Sequence, residues 1–263
     1  MSARRRLDAE LVRRELVATR SQARELIERH RVQVNGAFAD KAARLVSSSD
    51  AVEVVGERPR FVGRGGEKLA GALAAFGIDP TGRRCLDAGA STGGFTDCLL
   101  QAGAASVVAI DVGYGQLHES LVASPAVDNR ERTNIREVIP DDVGGLVDLL
   151  VGDLSFISLR TVMAALVGLV RDGGDLVLLV KPQFEAGRRE ASKGRGVIRD
   201  PAVWRRVLGE VVGCAAEHGA ATVDATVSPI RGGDGNVEFL VHLVVGAPPS
   251  DVDLDAVVAL AEG

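Results

Sequence analysis

Hydrophobic and polar positions follow two different patterns along this chain. In about the first quarter, apolar residues at helical spacing predict two helices, and short alternating runs at 32–34 and 51–55 predict strands. Asn35-Gly36 between these runs is a turn signal, and Ser21 is the expected N-cap of the second helix. This pattern predicts a small α+β domain over residues 1–58.

After a glycine-rich stretch at 59–66, which we expect to be a linker, apolar runs of strand length alternate with segments of helical period. This order predicts an α/β domain over residues 67–247 with a doubly wound, mostly parallel, Rossmann-like sheet. Residues 248–263 are expected to form a tail or a surface helix. The predicted strands are 84–87, 107–111, 149–153, 176–181, 222–228 and 238–245, and the predicted helices are 68–76, 92–102, 159–169 and 202–217.

The first predicted strand of this domain runs into a glycine-rich turn at residues 87–95, and the next one ends in an acid. Such a βαβ unit is typical of a nucleoside-cofactor site. A carboxylate at position 87 repels the pyrophosphate of a dinucleotide but suits the ammonium and sulfonium groups of S-adenosylmethionine, which we therefore expect as cofactor. The candidates are Asp87, Gly89, Ser91, Gly93 and Phe95 for the methionine side, Asp111 for the ribose, and Asn134 for the adenine edge.

Further polar residues are expected at the same edge of the sheet. Asp153 and Lys181 end two apolar strands, and ligands of such sheets bind outside the carboxyl ends of the strands. Lys68 opens the first helix of the domain, and Glu238 opens its last strand. If these two lysines and two acids converge on one site, the proximity of the two like charges and partial burial can lower the pKa of a lysine and make it a base for an alcohol.

Length and composition restrict the classes of protein to which this chain can belong. With 263 residues, the chain is long enough for one large domain and a small one. No apolar run approaches the roughly 18 residues of a membrane span and no secretion signal is evident, so we expect a cytoplasmic protein that does not bind membranes. Three isolated cysteines and four histidines argue against a metal site.

Charge is distributed unevenly along the chain. Its net charge is −5, yet the first 67 residues contain 14 Arg and Lys against 10 Asp and Glu. A basic N-terminal part joined to an acidic remainder of the chain indicates that an anionic partner binds mainly to the N-terminal part. As a group, the candidates for phosphate contacts are Arg4, Arg6, Arg14, Arg20, Arg24 and Arg31.

These motifs resemble a known family. The order of the two lysines and two acids is similar to the Lys-Asp-Lys-Glu tetrad of FtsJ-like ribose 2′-O-methyltransferases. The segments at 63–69, 87–95, 153–157 and 180–185 resemble the TlyA (hemolysin A) family of ribosomal RNA methyltransferases, and the resemblance covers nearly the whole chain. Residues 6–8, 20–23 and 32–36 look like the α-L RNA-binding motif, with His30 where that motif usually has a glycine.

The resemblance implies methyl transfer from S-adenosylmethionine to a cytidine 2′-hydroxyl in 16S or 23S ribosomal RNA within ribosomal subunits. It also implies that this methylation changes ribosome structure and the sensitivity to antibiotics that target the ribosome. In that reaction Lys181 would activate the hydroxyl and Asp153 would orient it. Lys68 and Glu238 would tune the charge of the site and hold the nucleotide. The alternatives are a noncatalytic RNA-binding protein on an enzyme fold, a nicotinamide enzyme, and a membrane-active hemolysin.

Overall fold

The computed structural model describes residues 4–56, 59–187, 190, 194 and 196–262. The chain divides into two compact units, residues 1–63 and residues 64–263. None of the described helices is long and apolar enough to cross a bilayer.

The N-terminal unit combines two helices with short strands around its own core. Apolar side chains of both helices, among them Leu7, Leu11 and Ile27, pack with Val32 and Val34 and are almost completely buried. Its helices are α1 (Leu7–Arg13) and α2 (Arg20–Glu28), and its strands are β1 (Arg5–Arg6), β2 (Val32–Val34), β3 (Ala37–Phe38), β4 (Leu45–Val46) and β5 (Val52–Val54).

In this unit the predicted turn is present, but the predicted helix cap is not. Asn35 and Gly36 adopt positive φ values and form a turn, but this turn joins β2 to β3, while β5 pairs with the other edge of β2. The predicted N-cap at Ser21 is wrong. Helix α2 begins at Arg20, and Thr19 Oγ1 accepts a hydrogen bond from the backbone N–H of Gln22 at 3.1 Å.

His30 adopts the left-handed conformation that a glycine takes most easily, with φ +52°. It lies two residues after the end of α2, at the turn into β2.

In the C-terminal unit, seven of the described strands form one sheet in the order β11-β12-β10-β9-β6-β7-β8. Strands β6 to β10 run parallel, and β12 lies antiparallel between β10 and β11. The strands are β6 (Arg84–Ala88), β7 (Ser106–Ile110), β8 (Val127–Arg130), β9 (Val147–Gly152), β10 (Val170–Val180), β11 (Ala220–Val227) and β12 (Phe239–Val245). This arrangement confirms the predicted mostly parallel α/β sheet and adds β8, an edge strand.

Helices cover the sheet, and the central strands are apolar because they are buried on both faces. The helices are α3 (Gly65–Phe76), α4 (Gly94–Gln101), α5 (Glu119–Val122), α6 (Leu159–Gly168), α7 (Pro182–Glu185), α8 (Pro201–Glu217) and α9 (Leu254–Glu262), with 3-10 turns at Ile135–Glu137 and Pro140–Val143. Helix α9 is ordered and buries Leu254, Val257 and Val258 in the core.

The stretch expected to be a linker is shorter in the structure. Phe61 is buried, and its carbonyl accepts a hydrogen bond from Gln22 Nε2 at 2.8 Å, so this residue is packed within the N-terminal unit. Helix α3 begins at Gly65, which makes Gly65 and Gly66 helical. Little chain is left between the two units, whose boundary falls after residue 63.

Candidate active site

A cavity of about 540 Å³ opens at the carboxyl ends of β6, β7 and β9. Chain order reverses here, because β6 continues to β7 on one side and is flanked by the later strand β9 on the other. Ligands of doubly wound sheets bind at such a reversal. The cavity is the candidate active site.

The glycine-rich turn after β6 forms one wall of the cavity. Gly89 has φ +86°, and a Cβ there would lie 2.8 Å from the backbone oxygen of Asp153. Gly93 has φ +96°, and its Cβ would lie 2.2 Å from a methyl group of Leu121. Both positions therefore require glycine, because a side chain would be strained and would also collide.

Asp111 ties the neighbouring loops together at this edge. Its Oδ2 accepts a hydrogen bond from the backbone N–H of Ser91 at 2.8 Å, and its Oδ1 accepts one from Gly113 at 2.6 Å. A carboxylate has about four lone-pair sites, so Asp111 retains capacity for hydroxyl donors. This placement is compatible with the predicted ribose contact.

Four of the seven residues predicted to hold the cofactor line this cavity: Gly89, Ser91, Asp111 and Asn134. Asn134 also caps the 3-10 turn that follows it, since its Oδ1 accepts from the N–H of Arg136 at 3.2 Å. The other three are not among the lining residues of the described structure. Gly93 is the N-cap of α4, and Asp87 and Phe95 are buried side chains.

Asp87 is a fully buried carboxyl at the end of β6. Its Oδ2 accepts a hydrogen bond from Thr96 Oγ1 at 2.7 Å, while its Oδ1 has no hydrogen-bond partner among the described residues. Burial raises the pKa of Asp87 to about 7, against the opposing effect of Thr96 and with a smaller contribution from Asp153. A cation nearby would favour its charged form, so the orphaned oxygen fits a positively charged cofactor.

The four predicted catalytic residues lie together in one chain of ion pairs. Lys181 Nζ lies 2.5 Å from Asp153 Oδ1, and Lys68 Nζ lies 3.7 Å from Asp153 Oδ2. Lys68 Nζ is also 2.6 Å from Glu238 Oε2. Two cations and two anions alternate, so this largely buried tetrad is neutral in total.

Different elements supply these four side chains. Lys68 lies in the first turn of α3, whereas Asp153 and Lys181 directly follow β9 and β10. Glu238 directly precedes β12, and it lies at the same edge because that strand runs antiparallel to its neighbours. A Cβ at Gly232 would lie 2.5 Å from Glu238 Oε1, so the loop before β12 passes close over this carboxylate.

Two residues of the site, Ser155 and Phe156, were not predicted as site residues from the sequence. Both line the cavity, and Lys181 Nζ donates a hydrogen bond to Ser155 Oγ at 2.7 Å. The Phe156 side chain is 91% exposed, has φ +65° and lies 5.2 Å from the ring of Phe184. A large aromatic residue in a loop of a chain with only 3% aromatic residues was the available signal.

Glu185 connects the segments that carry Asp153 and Lys181. Its carboxylate accepts hydrogen bonds from Ser158 Oγ at 2.5 Å and from the N–H of Leu159 at 2.7 Å. The loop after β9 is thus tied to the segment after β10 at two places, through Lys181 and through Glu185. These ties hold Ser155 and Phe156 beside the cavity.

The six arginines that were predicted to contact phosphate lie in different environments within the N-terminal unit. Arg6, Arg20 and Arg24 converge on the buried carboxylate of Asp8. Arg14 donates to the backbone oxygen of Asp50 and Arg31 to that of Val55, and Arg4 is exposed.

Two models of known protein families match this chain. A model of the FtsJ-like methyltransferase matches residues 61–244, which include all four tetrad residues, and a model of the S4 domain matches residues 5–52. The chain belongs to the FtsJ-like methyltransferase family. The N-terminal unit of this FtsJ-like methyltransferase is accordingly an S4 domain.

Individual relatives narrow the assignment within the family. The FtsJ-like methyltransferase is 52% identical to the 16S/23S rRNA (cytidine-2′-O)-methyltransferase TlyA of Mycobacterium tuberculosis, over 92% of this chain and 91% of that protein. It is 38% identical to Hemolysin A of Brachyspira hyodysenteriae, over 86% of this chain and 94% of that protein. These matches confirm the resemblance to the TlyA family.

A solved structure of a hemolysin-named protein from Streptococcus thermophilus has the same fold. Its TM-score is 0.79 at 38% sequence identity, with 100% of this chain and 97% of that chain covered.

Proposed function

We propose that this FtsJ-like methyltransferase transfers a methyl group from S-adenosylmethionine to the 2′-hydroxyl of a cytidine in ribosomal RNA. The observation that carries the proposal is the tetrad of Lys68, Asp153, Lys181 and Glu238, joined by ion pairs at the edge of the cavity. The TlyA relative at 52% identity is named for this reaction.

The residues that hold the cofactor would be those of the cavity wall. Asp111 accepts ribose hydroxyls, and the turn at 89–91 lets the backbone come close to the ligand. S-adenosylmethionine supplies an electrophilic methyl carbon on a positively charged sulfur. Positioning of this carbon against the hydroxyl is the main catalytic requirement, because no protein nucleophile is needed.

Lys181 is the residue that accepts the hydroxyl proton. Lys181 Nζ donates a hydrogen bond to Ser155 Oγ at 2.7 Å and lies 2.5 Å from Asp153 Oδ1. These two contacts hold Nζ at the edge of the cavity, where it would face the ribose hydroxyl. Bound S-adenosylmethionine would supply the methyl group to the 2′-oxygen, and Lys181 Nζ would take up the proton of the hydroxyl.

A map of 2′-O-methyl groups tests the reaction and its target together. We expect ribosomal RNA from cells that contain the gene to carry a cytidine methylation that is absent from deletion cells and restored by the purified protein. The restored site also shows which subunit is the substrate. Identical maps in both strains would reject the proposal.

Calorimetry tests the cofactor separately. We expect S-adenosylhomocysteine to bind the purified protein and NAD to give no binding heat. The reverse result would favour a nicotinamide enzyme.

Phe156 is expected to hold the base of the target nucleotide, because an exposed ring beside the catalytic lysine offers a stacking surface. Removal of a stacked base contact costs about 1–3 kcal/mol. Phe156→Ala should therefore lower kcat/KM for ribosomal subunits about 5- to 150-fold without changing the Kd of S-adenosylhomocysteine. Phe156→Tyr retains the ring and serves as the control. Equal activity of the alanine variant would contradict this role.

A further inference from the structure

Asp8 in the N-terminal unit receives three guanidinium groups on one carboxylate. Its Oδ2 lies 3.0 Å from Arg6 Nη2, 2.9 Å from Arg20 Nη2 and 3.5 Å from Arg24 Nε. Its Oδ1 accepts from Arg6 Nε at 3.0 Å and from the N–H of Ala9 at 2.9 Å. The Asp8 side chain has no solvent exposure, so the protein places a charged acid beneath three arginines.

This carboxylate stays charged throughout the physiological pH range. Hydrogen bonds from Arg6 hold the pKa of Asp8 far below its usual range, and Arg20 adds to the effect against the opposing cost of burial. Asp8 is therefore a permanent single negative charge among three permanent positive charges. The cluster has a surplus of two positive charges.

The three arginines remain accessible although they share one acceptor. Their side chains are 45%, 52% and 56% exposed for Arg6, Arg20 and Arg24. Arg20 and Arg24 are four residues apart in α2, so they lie on the same face of that helix. A guanidinium has five N–H donors, and this geometry leaves donors that point to solvent.

The second buried acid of this unit is organised differently. Glu10 also binds three arginines, but Arg14, one of them, is only 19% exposed and donates to the backbone oxygens of Ser47 and Asp50. Arg14 is therefore used within the fold. Arg5 and Arg13, the other two arginines at Glu10, are 54% and 48% exposed, so of these two clusters the one at Asp8 has all three arginines open to a partner.

We propose that Asp8 organises Arg6, Arg20 and Arg24 into a site for the phosphate groups of the RNA backbone. Long arginine side chains lose conformational freedom when they bind, and a buried carboxylate that restrains them beforehand reduces this loss. Guanidinium groups bind phosphate oxygens with paired hydrogen bonds. The proposal rests on the proposed function for the identity of the RNA, which is ribosomal.

The substitution Asp8→Asn separates this role from simple charge. It keeps the shape and removes one buried negative charge from beneath the arginines, so charge alone predicts tighter RNA binding. The organising role predicts the opposite, a Kd for unmethylated ribosomal subunits raised about tenfold. Asp40→Asn makes the same charge change at an exposed position of the same unit and serves as the control. Binding by Asp8→Asn as tight as that of the wild type, or tighter, would overturn the proposal.

Arginine variants provide a second test if Asp8→Asn does not fold, as judged by thermal unfolding. Arg20→Gln and Arg24→Gln should each weaken subunit binding and reduce the salt dependence of log K by about one unit of slope. Arg29→Gln lies in the turn after the same helix, where Arg29 pairs with Glu25, and it should change binding much less. An equal loss in all three variants would contradict a specific site.

These measurements use binding, not methylation, as their readout. A wild-type protein that binds subunits without methylating them would reject the proposed function, and the Asp8→Asn comparison would still decide the role of the cluster. A wild-type protein that methylates subunits while Asp8→Asn binds normally would reject only the cluster.

Discussion

Replacement of Lys181 by methionine is expected to lower the rate of methyl transfer at least 100-fold and to leave the Kd of S-adenosylhomocysteine within about twofold. General base catalysis contributes about 10²- to 10⁴-fold, and Lys181 is the amine held by both Asp153 and Ser155 at the cavity. Gly89, Ser91 and Asp111 lie in the segments that follow β6 and β7, so their positions do not depend on this side chain. Single-turnover transfer to ribosomal subunits and calorimetry measure the two quantities.

Lys181→Arg distinguishes a base from a positive charge. Arginine keeps the ion pair with Asp153 but stays protonated, so it cannot accept the hydroxyl proton. We expect Lys181→Arg to fold normally and to lose at least 100-fold in rate as well, whereas Lys41→Met, at an exposed lysine, retains full activity. If Lys181→Arg kept more than about a tenth of the activity, Lys181 would serve to neutralise charge and not to accept a proton.

Asp87→Asn is expected to change stability in a pH-dependent way. The pKa of Asp87 in the folded protein is raised to about 7 by burial, whereas an Asp in an unfolded chain has a pKa of about 4. Between these values the folded state holds a proton that the unfolded state releases. The stability of the wild-type protein without cofactor therefore falls as the pH rises from about 4 to 7, by a few kcal/mol at most.

The asparagine side chain does not ionise, so this part of the pH dependence should be lost in Asp87→Asn. We expect the unfolding temperature of the variant relative to wild type to increase between about pH 4 and pH 7 and to level off above that. Asp141→Asn, at an exposed position, should show a constant difference. Parallel curves for Asp87→Asn and wild type would show that Asp87 has an ordinary pKa.

Cofactor binding should report on the same carboxyl. A bound cation favours the charged form of Asp87, so the affinity for S-adenosylhomocysteine should rise with pH up to about 7 and then level off. Asp87→Asn should bind more weakly and with little pH dependence. Unaltered binding would mean that this buried acid supports the fold and not the cofactor.

Much of the fold was predictable because local patterns carry it. The alternation of buried apolar runs with helical segments predicted the sheet, and these runs are the parallel strands of its centre. Strand β8 was missed, since its four residues, VDNR, alternate between partial and full exposure at the edge of the sheet. The cap of α2 was misplaced by two residues because Thr19 and Ser21 are both of residue types that cap helices.

Candidate site residues were predictable where their place follows from a strand end. Asp111, Asp153 and Lys181 all follow parallel strands, and parallel strands bring their carboxyl ends to one edge. Glu238 reaches this edge only through the antiparallel direction of β12, which the order of the elements alone does not determine. Ser155 acquires its role from a contact with Lys181 across 26 residues of chain.

The two-part organisation, the parallel sheet and the four residue types of the tetrad could be predicted from the sequence, because each depends on local periodicity or on motif order. The burial of Asp87 with an orphaned oxygen, the exposure of Phe156 and the position of Asp8 beneath three arginines became visible in the folded structure. Burial and shared partners depend on which distant segments pack together, and no local pattern contains that information.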